Sequence, residues 1–234
     1  AVWRLYHLVY WPQRLLLNRA DAVATVSETT KKLMLEHRLT KRPISVVYNA
    51  AEQIDGEVLP KQRPKGQQTL VYMGSFMDYK NVECLIDSLN FLPEFKLELL
   101  SRISDERKAE LVARAGNFAE RVVFHNGVSD AEYHELLSRS YALVSASRDE
   151  GFGIPVIEAM EQGTPAVISN IEIFREIGGE AASYFDPNNP EELAKRVLEL
   201  KEKWESVSVA GIRQASRFNW ESSAQSLLEA FERL

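Results

Sequence analysis

A single cysteine, Cys84, in 234 residues leaves no partner for an intrachain disulfide, and disulfide frameworks belong to oxidising compartments. Long apolar runs are also missing. A membrane-spanning helix needs about 18 consecutive apolar residues, and the most apolar stretch, near the start, is broken by Arg4, His7, Pro12, Gln13 and Arg14. That stretch also lacks the compact apolar centre of a signal peptide. These absences lead to the expectation of a chain without spanning helices in a reducing, cytoplasmic setting. Basic charge is scarce over most of the length. Eight Lys or Arg against three acids put residues 1–48 at +5, so residues 49–234 must carry −11 to reach the net charge of −6. An acidic body argues against nucleic acid as a partner, since phosphate backbones are held by clustered Lys and Arg. The asymmetry itself suggests two units.

What is present is an ordinary globular composition, 45% apolar and 26% charged, without repeats or low-complexity tracts. Residues 2–19 read as an amphipathic helix carrying Trp3, Tyr6, Tyr10 and Trp11, with Arg4, Arg14 and Arg19 and no acid, bent or restarted at Pro12. Such a helix suits peripheral contact with an anionic membrane, and equally a helix that has lost the domain it once covered. Ala22–Val26 reads as a short buried strand, Ser27 as the N-cap of a helix over Glu28–His37, and Ile44–Tyr48 as a second strand. Residues 49–68 are polar, with two prolines and two glycines, and read as an interdomain linker.

Beyond the linker, strands alternate with helices. Strands are expected at Thr69–Met73, Phe95–Leu100, Arg121–Phe124, Ala142–Ser145, Ala166–Ile168 and Ala182–Phe185. Helices are expected at Val82–Phe91, Ser104–Ala115, Asp130–Ser138 and Pro155–Gln162, and again after Pro190, where Trp204 and Trp220 should pack against the body of the domain. This alternation predicts the α/β class, with a doubly wound, Rossmann-like parallel sheet whose ligands bind outside the carboxyl ends of the strands.

Two of the loops at that edge carry chemistry. In 74–81, Gly74 ends a strand and Ser75, Lys80 and Asn81 lead into a helix, an arrangement that makes an anion site from helix amides and a lysine. The second glycine of a Walker A loop is absent, and the G-x-G-x-x-G turn and following acid of a dinucleotide fold are absent too. A plain tight turn at Gly74 with a solvated Lys80 accounts for this loop equally well. The loop 146–154 is sharper. Two glycines and Pro155 at a helix start would aim the amides of Phe152, Gly153 and Ile154 at a phosphate above the sheet. Glu150 lies before that helix and Glu158 in its expected first turn, so the two carboxylates could grip hydroxyls of a sugar and a ribose. A capped helix with surface acids is the other reading.

The spacing Glu150 to Glu158 matches the E-x7-E motif of the retaining GT-B glycosyltransferases of the GT4 type, and EGFGIPVIEAMEQGTPAV resembles its usual setting. VYMGSFMDYKN, VVFHNGVSDAEYHELLSRSYALVSAS, EIGGEAASYFDP, FNW, ADAVATVSETTKKL and VVYNA are similar to other family segments, so the resemblance covers nearly the whole chain. It implies a closing part of an N-terminal acceptor domain at 1–48, a linker at 49–68, a donor-binding domain at 69–218 and a C-terminal helix at 219–234. It also implies that the chain is a fragment of a longer enzyme moving a hexose, with retention of configuration, from a donor such as GDP-mannose or a UDP-hexose to a glycan or lipid-linked acceptor. No metal or other cofactor is implied. Lys80 and the backbone at Gly74 and Ser75 would hold the diphosphate together with the amides of Phe152, Gly153 and Ile154. Glu158 would bond the ribose, Glu150 would stand by the donor sugar, and Arg102 and the loop from His125 to Val128 would line the base pocket. The family commonly has a basic residue where Ser75 stands, leaving Arg148 and Arg102 as candidates for the second cation. The histidine that the missing domain contributes has no counterpart in His7, and His125 and His134 belong to the donor half. A nucleotide-sugar-binding module or membrane-associated partner without transferase activity is the competing expectation. An epimerase is disfavoured by the E-x7-E setting, and an apolar helix left uncovered would favour a homodimer.

Overall fold

The computed structural model describes residues 11–51, 61–66 and 68–233. The chain divides into two compact units, residues 1–50 with 218–234 and residues 51–217. Residues 2–10 of the expected aromatic helix, and residues 52–60 and 67 of the expected linker, lie outside the described residues.

In the first unit, helix α1 (Trp11–Leu17) is followed by strand β1 (Val23–Thr25), helix α2 (Glu28–Glu36) and strand β2 (Ile44–Val46). The strands pair in parallel with Val23 opposite Ile44, closing a βαβ unit. Ser27 caps α2 by accepting from the Thr30 amide at 3.0 Å. Asn18 ties the chain before β1 to the chain before β2, since its carboxamide accepts from the Lys41 amide at 3.0 Å and its carbonyl accepts from Arg42 Nε at 2.9 Å. The C-terminal helix, Trp220–Glu232, belongs to this unit. Its Ser223 hydroxyl donates to the Tyr48 carbonyl at 2.6 Å, and Phe218 packs edge-on against Tyr48 at 5.4 Å.

The second unit is a six-stranded sheet, wholly parallel, made of β3 (Gln68–Met73), β4 (Phe95–Leu100), β5 (Val122–His125), β6 (Ala142–Ser145), β7 (Ala166–Ser169) and β8 (Ser183–Phe185). Their spatial order is β5-β4-β3-β6-β7-β8. Both faces of such a sheet are covered, so its strands read as nearly continuous apolar runs, and all four residues of β6 and of β7 are buried. The winding reverses between β3 and β6, which places the topological switch point there.

The connecting helices are α3 (Val82–Ser88), α4 (Asp105–Ala115), α5 (Asp130–Arg139), α6 (Ile154–Glu161) and α7 (Glu172–Gly178), with α8 (Pro190–Glu199) and α9 (Trp204–Ala215) completing the unit. Polar caps fix their starts. Ser104 accepts from the Arg107 amide, Ser129 and Glu132 form a reciprocal capping box, and Asn189 accepts from the Glu192 amide. Trp204 is 1% exposed and donates its indole N–H to the Tyr141 carbonyl at 2.8 Å, while Tyr141 meets Phe95 edge-on at 5.2 Å.

Three elements differ from the sequence expectations. Helix α7 occupies a stretch where no helix is expected, and Ile173, Phe174 and Ile177 are buried on one face of this short helix. The helix after β3 ends at Ser88 and passes into a 3-10 turn at Leu89–Phe91. Trp220, expected to pack like Trp204, is 55% exposed. Among the described residues no helix is long and apolar enough to cross a membrane.

Candidate functional site

The loops that follow β3 and β6 lie at the switch point, and the structure joins them directly. Lys80 Nζ meets Glu150 Oε1 at 2.6 Å, with the two side chains only 15% and 14% exposed. The Ser147 hydroxyl donates to the same carboxylate oxygen at 2.8 Å. Ser147 is itself held from behind by the Ser169 hydroxyl on its carbonyl and by Ser145 Oγ at 3.2 Å. The Arg148 amide donates to the Tyr79 carbonyl at 2.8 Å. Lys80 is thus a fixed, largely enclosed cation and not a solvated one.

Asn81 fastens a third loop to these two. Its backbone is left-handed, at φ 54°, a conformation that asparagine tolerates better than most residues. Its carboxamide donates to the Ala146 carbonyl at 3.1 Å and the Pro187 carbonyl at 2.7 Å, so the loops after β3, β6 and β8 are stapled by one side chain. The signal for it was the asparagine between Lys80 and the helix start.

Two glycines are required at this edge. A Cβ on Gly74 would stand 2.8 Å from the Tyr72 hydroxyl, which donates to the Ser75 carbonyl at 2.6 Å. Gly153 caps α6 at φ 103°, and a Cβ there would stand 2.8 Å from a ring carbon of Phe174. No side chain caps α6, Pro155 sits in its first turn, and the Val156 amide donates to the Gly153 carbonyl at 2.9 Å. Phe152 is buried and Ile154 is exposed. Ser75 Oγ is buried and takes no hydrogen bond among the described residues.

Glu158 corrects one expectation. Helix α6 begins at Ile154, so no acid lies in its first turn and Glu158 falls in the second. The dipole at a helix start therefore does not account for this acid. Its Oε2 instead accepts from the Tyr133 hydroxyl at 2.6 Å. Burial, and then the Glu158 charge, push the Tyr133 phenol well above its usual range, so it stays a donor. Glu161 is also pushed up, by burial and then by the charge of Glu158.

The structure thus brings Lys80 and Glu150 together and gives Glu158 a different partner. Arg102 and Arg148 are exposed on their loops, and Val128 is half-buried. His125 ends β5 and bonds through Nε2 to Glu98 at 3.1 Å, a carboxylate 6% exposed that also accepts from Arg139 at 3.1 Å. Sequence reasoning missed Glu98, Tyr133 and Ser147, and for Asn81 it missed the two carbonyls its side chain holds. Of the first three, Glu98 alone left a trace, as an acid inside the apolar strand FKLELL. Cys84 offers no nucleophile, because burial pushes its thiol up to about 12. Among the described residues no group of three or more His, Cys, Asp or Glu is placed to hold a metal ion.

The profile of the family described as glycosyl transferases group 1 matches residues 57–217. An O-antigen chain mannosyltransferase from Salmonella typhimurium is 28% identical over 205 residues, covering 82% of this chain and 54% of the relative. The O-antigen chain mannosyltransferase B of Escherichia coli is 29% identical over 237 residues, covering 93% and 62%. The chain therefore spans less than two thirds of either relative. Among solved structures, sucrose-phosphate synthase from Thermosynechococcus elongatus aligns with a TM-score of 0.76 at 22% identity, over 94% of this chain and 60% of that one. An Anabaena protein in complex with UDP and glucose aligns with a TM-score of 0.78 at 21% identity, over 95% and 66%. At such identities the likeness shows the fold.

Proposed function

Since the chain belongs to the glycosyl transferases group 1 family, we propose that its second unit binds a nucleotide-diphosphate sugar at the switch point and serves the transfer of a hexose with retention of configuration. The observation that carries this reading is the meeting of the two loops through Lys80 and Glu150 at 2.6 Å, beside a helix start without a side-chain cap. Lys80 and the amides of Phe152, Gly153 and Ile154 would neutralise the diphosphate as it leaves, which is the electrostatic contribution to catalysis. Glu150, released from Lys80, would take hydroxyls of the sugar, and Glu158 would take the ribose. The reaction would proceed by attack on the face the leaving group vacates, the departing phosphate accepting the acceptor's proton. No metal is called for in this scheme. The names of the two curated relatives favour a mannosyl donor and a glycan acceptor.

Calorimetric titration of the chain with UDP, GDP, ADP and their hexose conjugates tests the reading. Saturable binding of one nucleotide, abolished in Lys80→Ala and Glu158→Ala, is the expected result. Binding that survives both substitutions would place the ligand elsewhere.

A further inference from the structure

Tyr133 lies in the first turns of α5 and Glu158 in α6, two helices that follow neighbouring stretches of the chain yet leave different strands. The start of α5 is fixed by the Ser129–Glu132 capping box, so the position of Tyr133 is set by backbone and not by its hydroxyl. The residue is 6% exposed. Packing alone would be served by phenylalanine. A buried phenol hydroxyl needs a partner, and here the partner is one oxygen of a carboxylate assigned above to the ligand. The other oxygen, Oε1, has no donor among the described residues. One oxygen of Glu158 is thus held and one is open.

We propose that Tyr133 is a positioning residue that clamps Oε2 of Glu158 so that Oε1 is presented to the ribose hydroxyls of the donor, and that it thereby sets the preference of the site for ribonucleotides. The inference rests on the nucleotide-sugar reading of the site. A glutamate on a helix surface has three free torsions, and clamping one oxygen removes most of that freedom before the ligand arrives. Tyr133→Phe keeps the ring and its packing and removes only the clamp.

The test is a titration of the 234-residue chain and its Tyr133→Phe variant with whichever of GDP, UDP or ADP binds, and with the 2′,3′-dideoxy form of the same nucleotide. Wild type is expected to prefer the ribonucleotide by about tenfold, the worth of a hydrogen bond to a charged group. Tyr133→Phe is expected to narrow that preference to about threefold or less, with the affinity for the dideoxy nucleotide unchanged. The dideoxy nucleotide does not use Glu158, so it reports on the rest of the pocket. Equal loss for both nucleotides would assign the phenol to packing and overturn the proposal. A preference kept at its wild-type value would overturn it as well, while leaving the donor reading in place. Absence of saturable binding by wild type, or of any ribose preference, would overturn the donor reading and the proposal with it.

Discussion

Removing either member of the Lys80–Glu150 pair strands a charge that is about 15% exposed. At an effective dielectric near 20, opposite charges about 4 Å apart attract by about 4 kcal/mol, part of which is spent on removing them from water. Exposed pairs are worth less than about 1 kcal/mol, and losing one partner of a fully buried pair costs about 3–5 kcal/mol. The 2.6 Å contact, supported by Ser147, sits nearer the buried limit. Lys80→Met and Glu150→Gln are therefore each expected to lower stability by about 2–3 kcal/mol. The double variant is expected to lose no more than the worse single one, giving a coupling of about 2 kcal/mol. Urea unfolding, compared at constant m, measures all three. Single losses below about 0.5 kcal/mol that simply add would show the pair to be an incidental contact and refute the reasoning.

Gly153→Val places a branched side chain at φ 103° and against Phe174, so it is expected to cost about 3 kcal/mol or more of stability, read by thermal unfolding, and any loss of ligand binding will accompany that damage. Asn81→Asp turns a double donor into a carboxylate facing two carbonyl oxygens, and a loss of about 2–4 kcal/mol in urea is expected, with partial recovery at acid pH as the new acid protonates. Glu161 is pushed up by burial, so its favourable contribution exists at low pH and disappears as pH rises through its raised value. Glu161→Gln should accordingly raise Tm at neutral pH and leave it unchanged near pH 3, and an equal gain at every pH would count against this assignment.

The sheet was legible because buried parallel strands are written as unbroken apolar runs, as in LVY within β3 and ALVS in β6. The edge that carries the site followed from the alternation of strands and helices, since a parallel sheet puts every loop that follows a strand at its carboxyl edge; that the loops after β3 and β6 are neighbours is seen only in the strand order. The depth of Glu158 in α6 turned on a boundary one residue earlier than expected, at Ile154, and one residue moves an acid out of a first turn. Helix α7 was missed because its seven residues carry too few turns for periodicity to speak. Tyr133 and Glu158 are 25 apart in sequence and Asn81 and Pro187 are 106 apart, and no local pattern records a contact made by the packing of separate crossovers.

The carboxylate that faces Lys80 is attached to the same molecule, and that attachment has a selective effect. A small free anion offers one charge for one charge, against a rival that never diffuses away and is present at high effective concentration. Exchange of that kind gains nothing, so a stray chloride or acetate ion finds Lys80 already neutralised. The pair opens profitably only for a molecule that supplies the lysine with a new anion and the glutamate with new donors in the same binding event. A pocket closed in this way reads two chemical groups together or reads neither.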